Sequence, residues 1–502
     1  MRTNNNGARP AAGLIALLMF STSVFLAGAP AAADGPLRPL ADQIIIENTT
    51  TKEFEGGRQM LIRTGNQAFG VVYGSPEYPN GALTFIGIVV RTLGTATVHD
   101  ARTGRVVADN VTMPVVTVVA QRFEALIEFR DQRPDGIFDF IPNLSSPDPV
   151  DFEAHEPVVK GVSMHGIWNL SDFELGAVSD DRVLINFTLW REDLPYLRVD
   201  IFERPHNLTL DRIAFTVHLA ISRRTVEGLQ VPHFDATINQ RAGTKDLESI
   251  AMDGTRTVNA TITSGRFKVD HDIVGWDAAP NRGDVQSRLL LINGILFLTG
   301  TSPQLAPWLN ERALQGAREG SATTPDENGT SREINESAPL DRFARVRMIT
   351  LHDHWRGLGG LSWNHSVDVY ANPDQQAPRT GDAAFQVLGG TRMVVPLEKV
   401  TLRGFLLVGG FVYPATWRVY HDPELSVEGV EVQGTSFLPG LLPALVLFVE
   451  ALLILGAIVA AVTLASVQAS KASKQRARVD AERVRALKER YRLPPPGGGG
   501  VR

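Results

Sequence analysis

Cysteine is absent from all 502 residues. That removes disulfides, thiolate metal sites and cysteine nucleophiles together, so packing and hydrogen bonding must hold the fold. Familiar catalytic signatures are missing too: the chain has no G-x-S-x-G elbow, no H-E-x-x-H helix, no phosphate-cradling glycine loop and no Rossmann fingerprint. Glycosidase carboxylates carry no local signature, so a carbohydrate hydrolase survives this search. Helical periodicity of useful length is lacking before Pro303, where "PQLAPWLNERALQGA" can form one short helix. Basic charge is scarce in the bulk. Outside Arg2, Arg9 and the residues after 470, 37 basic side chains face 52 acidic ones, which argues against a nucleic acid or an anionic lipid face as partner.

What is present speaks first of address. The N-terminus carries Arg2 and Arg9, an uncharged apolar stretch from Ala11 to Leu26, and Ala31-Ala32-Ala33. This is the pattern of a signal peptide over 1–33, with Asp34 as the mature start. Near the other end, Ser436 to Ser470 holds one charge, Glu450. The hydropathy predicts a transmembrane helix within 437–468, because roughly 20 apolar residues cross the hydrocarbon. Lys471, Lys474, Arg476 and Arg478 begin a basic helical tail over 469–502, which the positive-inside rule leaves in the cytoplasm. The expectation is a single-pass type I membrane protein of the secretory pathway or plasma membrane, its bulk extracellular or lumenal.

Two features of that apolar segment suggest partners. In one register Glu450 lies near the bilayer centre and calls for a polar partner helix or protonation; in another it lies at the interface and calls for nothing. Gly456, Ala460, Ala461 and Ala465 recur at spacings that admit a second helix, from a partner or from a homo-oligomer.

Asparagine usage gives an independent pointer to export. Asn-x-Ser/Thr occurs at Asn48, Asn110, Asn143, Asn169, Asn186, Asn207, Asn259, Asn328, Asn335 and Asn364, ten of the seventeen asparagines between Asp34 and the apolar segment. Chance predicts about two, so the set reads as glycosylation acceptors.

The middle of the chain reads as β. Ile213, Phe215, Val217, Leu219 and Ile221 alternate with smaller or polar residues, and Val183, Ile185, Phe187 and Leu189 do the same, with Asn186 on the other side. Asn293-Gly294, Asp253-Gly254 and Asn80-Gly81 are hairpin-type dipeptides, and "VHDARTGRVV" suggests a hairpin with a longer loop. Many short strands with frequent turns predict two or three β-sandwich-like modules. The expected divisions are module 1 over 34–141, a Pro-rich linker over 142–157, module 2 over 158–315, a disordered loop or linker over 316–339 and a β-rich membrane-proximal region over 340–435.

Candidate sites are few. "FRDQRPDGIFDF" sets Asp131, Asp135 and Asp139 around Gly136 in the spacing of a degenerate calcium loop. Arg133 and Pro142 stand where ligands belong, so the competing reading is a hairpin turning at Asp135-Gly136. His352 and His354 share a strand face and, with His365, make a transition-metal candidate. "FKVDHDIVGW" puts Lys268, Asp270 and Asp272 on one face, as a solvated face or as paired carboxylates for acid/base chemistry. The expectation is a non-catalytic ectodomain binding a protein or glycan, with calcium as a candidate cofactor; the alternative is a membrane-tethered hydrolase.

Overall fold

A computed structural model describes residues 39–437 except 52–56, 65–66, 133–135, 137, 139, 142–152, 155, 198–206, 242–243, 302–342, 347, 353–356, 397–400 and 433–435. After a 3-10 turn at Leu40–Gln43, the strands in chain order begin β1 Ile45–Thr51, β2 Gly57–Thr64, β3 Gln67–Tyr73, β4 Leu83–Asp100 and β5 Val106–Asp131. There follow β6 Phe140–Ile141, β7 Glu153–Ala154, β8 Val158–Ser163, β9 Asn169–Leu170, β10 Glu174–Ser179, β11 Arg182–Pro195, β12 Thr209–Arg241, β13 Thr244–Val274 and β14 Gln286–Thr301. The remainder are β15 Phe343–Val346, β16 Met348–His352, β17 Gly357–Ser362, β18 Ser366–Tyr370, β19 Arg379–Asp382, β20 Ala384–Pro396, β21 Thr401–Pro414, β22 Arg418–His421, β23 Glu424–Val432 and β24 Ser436–Phe437.

All but β6 and β7 belong to one hydrogen-bonded sheet of 22 strands, which folds round a common interior as a nearly closed barrel. One run of antiparallel neighbours is β1–β2–β3–β4–β5–β14–β21–β20–β15. The other is β10–β11–β12–β13, continued from β13 by β23 to β17 and by β22 to β18. A parallel pairing of Thr95–Asp100 on β4 with His233–Ile238 on β12 joins the two runs.

Between the runs lies an aromatic core. Phe69 stacks on Phe267 at 6.2 Å, Phe85 meets Phe215 at 6.3 Å, and Phe123 meets Phe215 at 4.6 Å. Alternation builds it: Val183, Ile185, Phe187 and Leu189 are buried, as are Ile213, Phe215, Val217, Leu219 and Ile221. Gly265 lacks a side chain where the Phe69 ring packs; a Cβ there would lie 2.1 Å from the ring.

The expected architecture is corrected on two counts. Strands from 34–141, 158–315 and 340–435 share one sheet and one core rather than forming separate sandwich modules. Turn dipeptides count candidate strands but do not say which strands pair, and here several strands are too long to belong to a single short module. Asn293-Gly294 makes no turn: β14 runs straight through it with a bulge after Ile292, and Asn293 is buried. Asp253-Gly254 likewise sits inside β13, where Gly254 takes φ +108°.

The transmembrane helix and helical tail are the second correction. Among the described residues no helix is long and apolar enough to cross a membrane, so the single-pass type I reading is not supported; this says nothing of crossing by strands. Hydropathy registers composition, not conformation. Residues 438–502, and with them Glu450, Gly456, Ala460, Ala461 and Ala465, lie outside the described residues, as do the signal-peptide region 1–33 and the 316–339 segment.

The far halves of β4–β5 and β12–β13 make an arm that sequence reading did not anticipate. It has its own core of Leu93, Ala96, Val98, Val111, Met113, Val115, Phe234, Ala236 and Ile238, separate from the main one. Beyond the bulge at Gly228 (φ +70°), β12 continues for about 40 Å at 3.3 Å per residue.

Candidate functional site

Asp131, first residue of the acidic loop, ends β5 with no exposure. Its Oδ2 accepts hydrogen bonds from Arg288 Nε at 2.8 Å and from the Gly136 amide at 2.8 Å, Gly136 having φ +70°. A guanidinium thus already faces the carboxylate that a cation would need. Asp131 Oδ1 is buried without a hydrogen bond. Asp135 and Asp139 lie outside the described residues, and β6 pairs with β7 instead of folding back on β5.

One turn of chain away is a centre that sequence inspection missed. Glu128 and Lys160 are cross-strand partners on β5 and β8, and both are buried. Glu128 Oε1 accepts from the Ala279 amide at 2.8 Å and from the Ser287 hydroxyl; Oε2 accepts from Trp276 Nε1 at 2.9 Å and faces Lys160 Nζ at 3.5 Å. Lys160 Nζ also donates to the Asp277 carbonyl and lies 4.6 Å from the Tyr196 ring centroid and 5.5 Å from that of Trp276. Burial raises the Tyr196 phenol, whose oxygen accepts from the Asp277 amide at 3.0 Å. Every polar atom of the carboxylate and ammonium is engaged, as a buried ion pair requires. The only sequence signal is position: Glu128 continues the inward face of Leu126 on a strand buried on both sides.

A second buried centre ties the two runs together. His271 on β13 bonds through Nδ1 to the Tyr413 hydroxyl on β21 at 3.0 Å, and that hydroxyl bonds to Nδ1 of His421 on β22 at 3.0 Å. His421 Nε2 reaches the Asn364 carbonyl at 2.9 Å. The carbonyl can only accept, so Nε2 of neutral His421 carries the proton and its Nδ1 accepts from Tyr413. His271 Nδ1–H then donates to the phenol oxygen, leaving its buried Nε2 without a partner. Burial depresses His271 well below the ordinary histidine range, with neighbouring His421 adding to it; burial takes His421 down to about 4. Phe123, Phe215 and Phe411 surround the His271 ring at 5.2 to 5.5 Å. His271, Tyr413 and His421 are all buried.

On the opposite face of β13, Asp270 and Asp272 are engaged rather than poised. Asp272 forms a two-pronged pair with Arg418 at 2.8 and 3.2 Å. Asp270 accepts from the Tyr420 hydroxyl and faces Lys268 at 3.2 Å and His218 Nε2 at 3.3 Å. The two carboxylates thus face cations, an imidazole or a hydroxyl rather than each other.

Among the described residues no three His, Asp or Glu side chains could hold a metal ion. His365 lies beside Trp363, with ring centroids 6.4 Å apart; the side chain of His352 and all of His354 lie outside what is described. Of the sequon asparagines, Asn48, Asn169, Asn207, Asn259 and Asn364 are exposed. Asn110 is half-buried at φ +56°, and half-buried Asn186 accepts from His218 Nδ1 at 2.9 Å. Asn143, Asn328 and Asn335 lie outside the described residues.

The arm is the remaining candidate. At its tip, Asp100 Oδ1 accepts from the Arg102 amide at 3.0 Å, the Thr103 amide at 2.8 Å and the Thr103 hydroxyl at 2.9 Å, and the Ala101 amide bonds the Ile238 carbonyl at 2.9 Å. The Thr103 bonds hold the Asp100 carboxyl below its usual range. Along one face, His233 bridges Thr95 at 3.0 Å and Thr97 at 3.2 Å, and Asp109 takes Thr97 at 2.7 Å and Arg256 at 3.3 Å. This face thus carries hydroxyls, an imidazole and exposed charges that bond one another across the strands.

No family model matches the sequence, and no curated protein sequence does either. Among solved structures, one described as a crystal structure of a Pseudomonas aeruginosa FadL homologue aligns with 74% of this chain and 78% of its own, at 8% identity and a TM-score of 0.10, too low to carry any argument about fold or function.

Proposed function

We propose that this chain is an exported, non-catalytic binding protein whose barrel holds the β4–β5 and β12–β13 arm out toward a macromolecular partner. The observation that carries the reading is the contrast between interior and arm. Among the buried ionisable groups, Glu128 pairs with Lys160, and His271 and His421 both bond the Tyr413 hydroxyl. A small pocket lined by Phe69, Phe85, Ile86, Gly87, Phe267, Leu425 and Val427 carries no ionisable side chain. The arm instead exposes polar and charged residues on strands with their own core, and rigid elements that project loops are where recognition is commonly placed. The sequon set agrees with an extracellular or lumenal setting.

The test removes the arm and spares the barrel. Ala96 pairs with Val111 and Phe234 with Met252, so replacing Ala96 to Val111 and Phe234 to Met252 each by Asn-Gly closes both hairpins early. The shortened protein is expected to keep its β-sheet circular dichroism and to lose attachment to membranes prepared from the producing cells. Equal attachment by both forms, or steady turnover of aryl glycosides by the intact chain, would overturn the reading.

A further inference from the structure

One end of the second antiparallel run is an open edge. Among the described strands β10 pairs with β11 alone, so the backbone N–H and C=O groups along its outer side are left without a ladder. The 3-10 turn reaches only its end, where the Leu40 amide donates to the Asp180 carbonyl at 2.7 Å. All six residues of β10 are exposed, although two of them belong by register to the core side. Leu175 faces Ile185 and Ala177 faces Val183, both buried in the main core, and cross-strand partners share a face of the sheet. Leu175 nevertheless keeps 52% of its exposure. Two residues earlier in the same row, Phe173 packs on Phe187 at 5.5 Å, so the core extends to this edge and ends there uncovered.

We propose that β10 takes up an extended segment of a partner protein as one further strand, with apolar side chains laid over Leu175 and Ala177 and a basic residue at each end. In such a complex the backbone ladder supplies affinity and alternate side chains supply selectivity. The charge of the partner follows from what flanks the strand. Asp172, Glu174 and Asp180 are exposed. Asp181 is held by Arg223 at 2.7 Å, and exposed Arg182 stands across from Ser179 on β11, a full strand spacing further from an incoming segment. A second copy of β10 is the wrong occupant. Laid antiparallel about Gly176, it sets Asp172 opposite Asp180; shifted by one residue, it sets Asp172 opposite Asp181. Like charges facing each other across a ladder are unfavourable, and opposite charges in the same places are favourable. This surface is separate from the arm, and its failure would leave the arm reading standing.

The test uses the full chain and short synthetic peptides of alternating valine and threonine, ended on both sides by lysine or by glutamate. The lysine peptide should bind and slow amide hydrogen exchange across residues 174–179. The glutamate peptide should bind about tenfold more weakly, because two favourable charge pairs become two unfavourable ones. Glu174→Lys with Asp180→Lys, both at exposed positions, should reverse that preference. A lysine peptide N-methylated at every residue keeps its charge but cannot donate to a ladder, and it should lose binding. Removal of the arm should leave peptide binding unchanged. Exchange across 174–179 that does not respond to the lysine peptide, or binding indifferent to N-methylation, would overturn the proposal, since charge alone would then account for any association. Protection of the same amides when the chain is merely concentrated would assign the edge to a second copy and overturn it as well.

Discussion

Body and arm are built from the same strands, since β4, β5, β12 and β13 run through both, yet they are held differently. In the body these strands face other strands across an aromatic core, where Glu128 bonds Trp276 and His271 bonds Tyr413. In the arm they pack a smaller core in which Phe234 is the one buried aromatic among aliphatic residues, and the polar contacts lie toward solvent. The difference teaches that strand length alone does not set rigidity. What a strand packs against does, and the arm should therefore open locally at a lower free energy than the barrel.

The largest effect should come from breaking the body's buried ion pair. Glu128→Leu alone leaves Lys160 charged and buried with no counter-charge, facing only the Asp277 carbonyl and two rings, which is expected to cost about 3–5 kcal/mol in chemical denaturation. Glu128→Leu with Lys160→Met should recover the part due to the stranded ammonium, while the Trp276, Ala279 and Ser287 donors still lack their acceptor. If the double variant is as unstable as the single one, the pair is not what the surrounding donors are arranged around.

A matched aromatic truncation sharpens the comparison. Phe215→Ala empties a site shared by Phe85, Phe123 and Trp168 and should lower global stability by about 3 kcal/mol or more. Phe234→Ala should leave the global transition almost unmoved, yet speed amide hydrogen exchange in residues 93–113 and 229–258. Equal global losses from both would mean that arm and body unfold as one unit.

Between about pH 6.5 and 4, acid probes the buried histidines of the body. His421 has its folded value lowered to about 4, against about 6.5 when free, so its stabilising contribution is complete above about pH 6.5 and is lost as pH falls toward 4. His271 moves in the same direction. Between those limits the unfolded chain binds more protons, and the drop is on the order of 3 kcal/mol for His421. Asp270, Asp422 and His365 are the charged or titratable groups acting on it. His421→Gln should flatten the dependence of melting temperature on pH over that range, while exchange in the arm should not follow it.

Which of these features were legible from residues alone follows from what a one-dimensional pattern can encode. A period of two marks a strand with one wet face, so β11 and the near half of β12 were readable in register. It cannot say which strand pairs with which, and the parallel meeting of Thr95 with His233 across 138 residues leaves no local trace. Asn293-Gly294 and Asp253-Gly254 misled because dipeptides that permit a tight turn also permit a bulge inside a long strand. Hydropathy pointed to a helix within 437–468, of which only Phe437 is described, joined with Ser436 to β5 as strand. For the sites, the acidic loop was visible by spacing, but the Arg288 that occupies Asp131 lies on another strand. Lys160, Tyr413 and His421 look unremarkable in sequence because their meaning depends on burial and on partners distant in the chain.

The smallest effect should separate the arm's ion pair from its counterparts in the body. Arg256 and Asp109 meet at 3.3 Å, but their side chains keep 40% and 53% of their exposure, so water and salt screen them and long side chains lose freedom to hold the contact. The Thr97 hydroxyl already gives Asp109 a partner at 2.7 Å, which remains when the arginine goes. Arg256→Ala should therefore cost under about 0.5 kcal/mol, less still in high salt. Asp131, the partner of Arg288, has no exposure: without the guanidinium only the neutral Gly136 amide faces a buried carboxylate, and the loss should be felt globally. Measuring both by denaturant titration at low and high salt asks whether exposure, not distance, sets the strength of these two otherwise similar contacts. A salt-insensitive Arg256 effect as large as that of Arg288 would mean that the arm's polar face is sealed in solution, and that the arm is as closed as the barrel that carries it.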